Sequence, residues 1–364
     1  MIKYIGSKRT LVPVLGEIAS SVGARTATDL FTGTTRVAQE FKRRGMVVTA
    51  TDVATYSQVL SDCYIATDAR AVDLNELDDA LRRLNALPGR AGYFTHTFCE
   101  ESRYFQPRNG ARVDAIRDLL EAEYKRSPLF PILLTSLMLA ADRVDSTTGL
   151  QMAYLKEWAP RAHNDLELRR PDILPGVGYT ICGDAMTTVD TLETVDLMYL
   201  DPPYNQHRYF TNYHIWETLV RWDSPEYYGI ACKRIDSRDD STKSVFNSKR
   251  AMPIALADLI RRVRAEVVVV SYNDESWISA EAMMRSLRDA GHEDVRMLAF
   301  DSKRYVGAQI GIFNPSGEKV GRVSHLRNTE YVFVAGPTEK VEAAAHAAHV
   351  PARDAQDSLF SLPV

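Results

Sequence analysis

The segment Asp201–Tyr204 (DPPY) combines residue types that could act together on an amine. Two consecutive prolines fix φ twice and lack N–H donors, so the loop is stiff and its carbonyls can accept hydrogen bonds. The Asp201 carboxylate and the Pro202 carbonyl could each accept one N–H of an adenine amino group and turn its lone pair toward an electrophile. The Tyr204 ring could stack on an extruded base, which contributes roughly 1–3 kcal/mol. The candidate catalytic residues for methylation of the amine are Asp201, Pro202, Pro203 and Tyr204.

A structural proline turn is the alternative role for DPPY. A second candidate site is the turn Phe31–Thr35 (FTGTT), in which Gly33 allows a close backbone approach to a ligand or a positive φ. Asp52 follows the next strand about 20 residues later and could accept hydrogen bonds from ribose hydroxyls. Asp184 follows a third strand and could accept from the amino group of an adenine ring. Helix capping is the alternative role for both carboxylates.

These residues require an α/β framework to bring them together. Residues 27–52 are predicted as strand, turn, helix, strand and acid, which is the opening of a doubly wound parallel sheet. A β-branched run at 266–271 predicts a fully buried central strand. Strands at 295–300 and 329–335 are expected to form an antiparallel pair. With strands at 179–182 and 195–200, the count is seven.

A long helical segment interrupts this pattern. Residues 1–60 and 176–337 are predicted to form a split catalytic domain, and residues 61–175 a helical insertion. We expect residues 338–364 to be a flexible C-terminal tail, although its first part, 338–349, is alanine-rich and predicted to be helical.

The order of the motifs resembles that of Dam-like adenine-specific DNA methyltransferases of the restriction–modification type. The motifs are YIGSK at 4–8, FTGTT at 31–35, Asp52, Asp184 and DPPY. The resemblance implies S-adenosylmethionine as methyl donor, no metal, and transfer to adenine in duplex DNA. It also implies a Rossmann-like methyltransferase sheet with target recognition in the insertion. Thr35 is a departure, because the family usually has a second glycine there.

The same resemblance implies cofactor contacts at individual positions. Lys8 and the turn before it would contact the methionine end, Asp52 the ribose and Asp184 the adenine ring. The full set of candidate cofactor-binding residues is Tyr4, Ile5, Gly6, Ser7, Lys8, Asp29, Phe31, Gly33, Asp52, Asp184 and Asp201.

The charge balance restricts where DNA could bind. Lys and Arg number 44 and Asp and Glu 48, and the net charge of -4 excludes a protein that coats nucleic acid by bulk charge. Residues 233–250 carry six basic and three acidic side chains and are predicted to be a mobile loop that orders on DNA. An ordinary solvated loop is the alternative. Arg112 and Arg143 of the insertion are further candidate readers. The main candidate DNA contacts are His207, Arg208, Tyr209, Lys233, Arg234, Lys243, Lys249, Arg250, Arg103 and Arg108.

The remaining expectations concern location and partners. Four scattered cysteines and an N-terminus without an apolar core favour a cytoplasmic, nucleoid-associated protein, and the apolar stretch 129–141 is too short to span a bilayer. A cognate restriction endonuclease is a candidate partner. The segment Gln356–Phe360 (QDSLF) resembles peptides that dock on the bacterial replication sliding clamp, and a chance match in a disordered end is the alternative. Two other functions stay open: amine methylation of RNA or protein, and a DNA-binding module without catalysis.

Overall fold

The computed structural model describes residues 2–4, 8, 10–203, 206, 208–274, 276–303 and 327–349. The strands are β1 (Thr26–Asp29), β2 (Val47–Asp52), β3 (Gly178–Cys182), β4 (Val195–Leu200), β5 (Tyr227–Tyr228), β6 (Lys233–Arg234), β7 (Ala265–Asn273), β8 (Asp294–Lys303) and β9 (Arg327–Gly336). The α-helices are α1 (Val12–Ser21), α2 (Arg36–Arg43), α3 (Thr55–Ser61), α4 (Leu74–Ala86), α5 (Tyr93–Thr95), α6 (Pro107–Leu119), α7 (Phe130–Arg143), α8 (Ala185–Thr188), α9 (Tyr209–Asn212), α10 (His214–Arg221), α11 (Met252–Arg262), α12 (Ala280–Asp289) and α13 (Thr338–His349).

Seven strands form one sheet in the order β3–β2–β1–β4–β7–β9–β8. Strand β9 runs antiparallel to both β7 and β8, and the other neighbouring pairs of this sheet are parallel. The predicted seven-stranded, doubly wound sheet is therefore confirmed, including its antiparallel pair. The chain runs from β1 outward to β2 and β3 and returns to β4 on the other side of β1. A topological switch point thus lies between β1 and β4, where open α/β sheets bind their ligands.

Both faces of the sheet are covered by helices. Along β7, Val267 and Val269 pack into the core on one face, and Val268 and Val270 into the core on the other. This alternation follows from the two-residue period of a strand, and it explains why β7 is an uninterrupted β-branched run. The first face carries α1, α2, α13 and the insertion helices, whereas the second carries α8, α11 and α12.

The predicted insertion, 61–175, is helical over much of its length. Helix α7 is apolar on most sides, and its Leu133 and Leu137 are buried in the same core as Leu197 of β4. The insertion helices therefore share their hydrophobic core with the sheet. The division into a split catalytic domain and an insertion stays a prediction.

The predicted flexible tail does not begin at residue 338. Residues 338–349 form α13, and its Val341 and Ala344 are buried in the same core as Leu15 and Ile18 of α1. This burial orders the first part of the tail, because it removes the apolar side of the helix from water. Residues 350–364, which include Gln356–Phe360, lie outside the described residues.

The basic segment 233–250 is also more structured than the sequence predicts. It contributes β6 to a two-stranded hairpin with β5 and continues through short 3₁₀ turns at 235–238, 240–242 and 245–247. Phe246 is 1% exposed and packs in the core on the second face of the sheet. The prediction of a mobile loop is thus wrong for the part that holds Phe246.

None of the described helices is long and apolar enough to cross a membrane. Over the same residues, no group of three or more His, Cys, Asp or Glu side chains is arranged to hold a metal ion. Cys63, Cys99 and Cys232 are buried, Cys182 is exposed, and all four are thiols.

Candidate active site

A cavity of about 500 Å³ lies at the carboxyl ends of β1 to β4, beside the switch point. It is lined by Phe31 and Gly33 after β1, Asp52 at the end of β2, Asp184 after β3 and Asp201 after β4. Parallel strands place their carboxyl ends at one edge of a sheet, which brings together residues that are far apart in the chain. Five candidate residues from four segments therefore contact one cavity.

The turn after β1 is held in shape by contacts to neighbouring segments. Gly33 has φ of 52°, its N–H donates to Asp52 Oδ2 at 2.9 Å, and its carbonyl accepts from Ser57 Oγ at 2.6 Å. A Cβ at this position would lie 3.4 Å from the Tyr4 ring. That distance is an ordinary van der Waals contact, so the positive φ is what favours glycine here.

Thr35 occupies a conformation that favours glycine. Its φ is 63°, in the left-handed region, where a β-branched residue is disfavoured by about 1–2 kcal/mol. Its Oγ1 accepts a hydrogen bond from Gln39 Nε2 at 2.8 Å, and its N–H donates to Thr32 O at 2.7 Å. The turn therefore keeps a glycine-like backbone although the second glycine of the family is absent.

Asp29 lies directly beneath this turn. Its Oδ2 accepts from Thr32 Oγ1 at 3.0 Å and from the Ala38 N–H at 3.2 Å, so it connects the turn to α2. Its Oδ1 is buried and has no hydrogen-bond partner within the described residues. Burial raises the pKa of Asp29 to about 7, with a smaller contribution from the charge of Asp201.

The other two acids, Asp52 and Asp184, both line the cavity, and Asp184 also caps a helix. Asp52 accepts from the N–H groups of Gly33 and Ala54, each at 2.9 Å, and burial raises its pKa although these bonds oppose the shift. Asp184 accepts from the Met186 N–H at 2.9 Å and caps α8. The capping alternative is thus realised at Asp184, and its carboxylate still lines the cavity.

Asp201 forms an ion pair with a lysine from the N-terminal motif. Lys8 Nζ lies 3.1 Å from Asp201 Oδ1 and 3.3 Å from Glu330 Oε2, and Lys8 is only 6% exposed. Burial raises the pKa of Glu330, and the Lys8 charge opposes that shift. Because two carboxylates of the chain hold Lys8, its contact with the methionine end of a cofactor stays a prediction. Pro203 lines the cavity and Pro202 is buried beside it.

Tyrosine rings form a further side of the cavity. The Tyr4 ring stacks on Tyr209 and Tyr213, with centroid distances of 5.3 and 4.5 Å. The Tyr4 hydroxyl lies 3.2 Å from the Tyr56 hydroxyl. Tyr4 and Tyr209, predicted from the sequence as cofactor and DNA contacts, both line the cavity.

Residues 4–285 match the family model of the D12 class N6 adenine-specific DNA methyltransferases. The chain belongs to this family. The modification methylase StsI of Streptococcus sanguinis is 30% identical over 309 residues, which are 79% of this chain and 46% of StsI. The Type II methyltransferase M.NlaIII of Neisseria lactamica is 30% identical over 307 residues, 80% of this chain and 89% of that protein. The Type II methyltransferase M.FokI of Planomicrobium okeanokoites is 28% identical over 326 residues, 83% of this chain and 49% of that protein.

The D12-class chain spans about half the length of StsI and M.FokI and most of M.NlaIII. The family resemblance of the motifs is confirmed. Several of the residues predicted for the site lie outside the described part of the chain, namely Ile5, Gly6, Ser7, Tyr204 and His207.

Phe246 and Glu217 are among the cavity residues that the sequence analysis missed. Phe246 lines the cavity and meets Phe31 edge to face, with ring centroids 5.2 Å apart. The one feature of the sequence that distinguishes Phe246 is that it is the sole aromatic residue of the basic segment 233–250. Glu217 of α10 also lines the cavity and accepts from Thr55 Oγ1 at 2.5 Å; burial raises its pKa. Nothing in the sequence around Glu217 distinguishes it from a surface acid.

Arg234 was predicted to contact phosphate, but in the D12-class chain it is buried and pairs with other side chains of the protein. It is 1% exposed and forms ion pairs with Asp223 and Asp236, each at 2.7 Å. A buried guanidinium requires such partners, because an unpaired buried charge is strongly unfavourable. The prediction for Arg234 is therefore wrong.

The other candidate DNA contacts differ in exposure. Lys249 and Arg250 are exposed, Lys243 lines the cavity and pairs with Asp240, and Arg208 and Lys233 are half-buried. In the insertion, the Arg103 guanidinium lies 4.9 Å from the Trp158 ring centroid, and the exposed Arg108 lies 3.5 Å from Asp165. These residues stay predictions as DNA contacts.

Proposed function

We propose that this chain transfers the methyl group of S-adenosylmethionine to the N6 amine of an adenine in a specific duplex DNA sequence. The observation that carries the proposal is that Asp201 of DPPY opens onto the same cavity as the Phe31–Thr35 turn, Asp52 and Asp184. A single cavity can then hold the methyl donor and receive the target amine. Membership of the D12 class supports adenine in DNA over an RNA or protein substrate.

The residues around the cavity fit the methyl donor. Its volume of about 500 Å³ falls within the range of roughly 300–1,000 Å³ that is usual for cofactor sites. Phe31 and Phe246 offer apolar ring surface next to Asp184, which suits an adenine ring. The carboxylates of Asp52 and Glu217 suit a cationic ligand, and the unpartnered Oδ1 of Asp29 lies beneath the same turn.

The chemistry at Asp201 follows from its acceptors. When bound, S-adenosylmethionine supplies an electrophilic methyl group on a cationic sulfur. The Asp201 carboxylate and the Pro202 carbonyl accept hydrogen bonds from the two N–H groups of the adenine amine. These bonds reduce conjugation of the nitrogen lone pair with the ring and leave it available to the methyl group. The stiff double-proline backbone keeps the two acceptors in fixed positions, so little ordering is required in the transition state. Stacking of the adenine on Tyr204 remains part of the proposal.

Two basic regions would hold the DNA. The first is the exposed part of the segment 233–250, with Lys249 and Arg250. The second is a cavity of about 550 Å³ in the insertion, lined by Arg112, Arg143 and Arg169. Burial and the charge of Arg169 lower the pKa of Arg143, so an anion in this cavity would offset an unfavourable positive potential. We assign DNA phosphates to both regions and target recognition to the insertion.

Substitution of Asp201 tests the proposed function. Asp201→Ala is expected to lower methyl transfer to duplex DNA by at least about a hundredfold, because an essential acceptor is lost. Binding of S-adenosylmethionine, measured by calorimetry, should be largely retained. Asp79→Ala, at an exposed position on α4, is the control for loss of one carboxylate. Full activity of Asp201→Ala, or methylation at a base other than adenine, would refute the proposal.

The DNA contacts can be tested through salt dependence. Lys249→Ala and Arg143→Gln should each weaken DNA binding and reduce the slope of log K against log salt by about 1. Arg261→Gln, at an exposed position of α11, is the control. Unchanged slopes for both variants would show that neither region contacts DNA phosphates. Sequencing of methylated DNA from cells that express the chain would identify the recognition site.

Two protein partners complete the proposal, together with the cytoplasmic, nucleoid-associated location that a DNA substrate requires. A cognate restriction endonuclease is expected because the relatives include named modification methylases. Docking of Gln356–Phe360 on the replication sliding clamp is the second. A clamp pull-down that persists after deletion of residues 356–364 would exclude this docking.

A further inference from the structure

We propose that Ser271 and Tyr199 are positioning residues that fix the orientation of the Asp201 carboxylate and direct its Oδ2 toward the substrate amine. The inference rests on the proposed function, since it concerns how Asp201 meets its substrate. Both lie in strands that the sequence predicts, and neither is a candidate site residue in the sequence analysis. Both are buried: Ser271 is 0% exposed and Tyr199 is 1% exposed.

Tyr199 of β4 and Ser271 of β7 lie on adjacent parallel strands, and Ser271 is the one that contacts Asp201. Leu200 of β4 pairs with Val270 of β7, so the next residues along the two strands are Asp201 and Ser271. Ser271 Oγ donates to Asp201 Oδ1 at 2.8 Å, and the Tyr199 hydroxyl lies 2.7 Å from Ser271 Oγ. The sheet register therefore sets the position of the serine hydroxyl relative to the catalytic carboxylate.

The direction of the hydrogen bonds follows from proton counting. An ionised carboxylate has no proton and can only accept, so the single proton of the Ser271 hydroxyl is used on Asp201. Tyr199 must then donate its own proton to Ser271 Oγ. Burial and the charge of Asp201 raise the pKa of Tyr199 far above its ordinary value, which keeps this donor protonated. The chain of donors runs from Tyr199 through Ser271 to Asp201.

All contacts to Asp201 from the described residues fall on one oxygen. Lys8 Nζ, at 3.1 Å, contacts the same Oδ1 that Ser271 contacts. Over the described part of the chain, Oδ2 has no hydrogen-bond donor, and the Asp201 side chain is 20% exposed on the cavity. Two donors on Oδ1 thus occupy one oxygen and leave the other for an N–H of the substrate.

This arrangement matters because a carboxylate rotates easily. The χ2 torsion of an aspartate is broad and roughly two-fold, so the side chain by itself does not favour one orientation of the carboxylate. The hydrogen bond from Ser271, which lies on a rigid central strand, fixes the orientation of the carboxylate. Lys8 contacts Asp201 from outside the sheet. Loss of the serine hydroxyl would leave Lys8 as the remaining donor and allow the carboxylate to turn.

The test compares Ser271→Ala with the wild-type chain. We expect kcat for DNA methylation to fall roughly tenfold to a hundredfold, since small misplacements at a reacting centre have effects of this size. The dissociation constant for S-adenosylmethionine should stay within about twofold. Ser271→Thr, which keeps the hydroxyl, should restore most of the activity.

Two further variants separate positioning from folding. Tyr199→Phe keeps the buried ring and should produce a smaller loss of kcat in the same direction. Ser102→Ala removes another buried serine hydroxyl. That hydroxyl donates to Thr97 O at 2.7 Å, so its loss should leave kcat unchanged.

Each outcome is decisive. Wild-type protein that methylates no adenine overturns the proposed function, whereas equal kcat values for wild type and Ser271→Ala overturn the positioning role alone. Crystal structures give a readout that does not depend on activity. A rotated or doubly oriented Asp201 carboxylate in Ser271→Ala supports the inference, and an unchanged carboxylate in that variant overturns it.

Discussion

The buried carboxylate of Asp29 should make the free energy of unfolding depend on pH. Burial of its carboxylate beneath the Phe31–Thr35 turn raises its pKa from 3.8 to about 7. Between these two values the folded chain binds more protons than the unfolded chain, so the free energy of unfolding falls as pH rises. The stability associated with protonated Asp29 is fully present below about pH 4 and is lost as pH rises through about 7.

The magnitude follows from the size of the shift. One pH unit corresponds to about 1.4 kcal/mol, so the whole shift represents about 4 kcal/mol, and the part lost between pH 5 and pH 8 is about 3 kcal/mol. Asp29→Asn keeps an oxygen for Thr32 and Ala38 but has no charge to bury. The stability of Asp29→Asn relative to wild type should therefore increase by about 3 kcal/mol from pH 5 to pH 8.

Urea unfolding of both proteins at pH 5, 6, 7 and 8, without methyl donor, provides the measurement. Any fixed cost of burying the new amide is the same at every pH and drops out of the comparison. Asp79→Asn, on the exposed surface of α4, controls for the loss of one negative charge. A stability difference between Asp29→Asn and wild type that does not change with pH would refute the reasoning.

Three other predictions concern the turn, the cavity and the hairpin. Thr35→Gly should be about 1 kcal/mol more stable than Thr35→Ala in urea unfolding, because both lose the Gln39 hydrogen bond but only glycine relieves the positive φ; the opposite order would contradict the strain. Phe246→Leu keeps apolar burial but removes the ring contact with Phe31, so calorimetry should show S-adenosylmethionine binding weakened about threefold to tenfold. Unchanged affinity would place the donor elsewhere. Arg234→Met should lower stability by about 3 kcal/mol and leave the salt slope of DNA binding unchanged. A reduced slope with full stability would restore its predicted phosphate contact.

The positions of the candidate residues at strand ends could be predicted because they depend on local pattern. Strands β1 and β2 each end at an aspartate, and β4 ends directly before Asp201. The carboxyl ends of parallel strands share one edge of a sheet. Asp52 and Asp201 could therefore be assigned to one site without knowledge of any contact. The same reasoning gave the right sheet, with β8 and β9 as its antiparallel pair.

Burial and pairing of charged residues could not be predicted in this way. Arg234 and Lys249 lie in the same basic segment, yet one is buried between two aspartates and the other is exposed. The difference arises from residues outside the segment and from the hairpin that β6 forms with β5. Phe246 likewise becomes a cavity residue only because the segment returns to the sheet.

The sequence by itself determined the order of the motifs along the chain and the family, because these depend on residue type and spacing. Tertiary structure alone decided which groups meet Asp201. Ser271 lies 70 residues from Asp201 in the chain and meets it through the register of β4 and β7. The Lys8 ammonium group lies within 3.3 Å of the carboxylates of both Asp201 and Glu330. Hydrogen bonds act over about 3 Å, a distance that spacing in sequence does not encode.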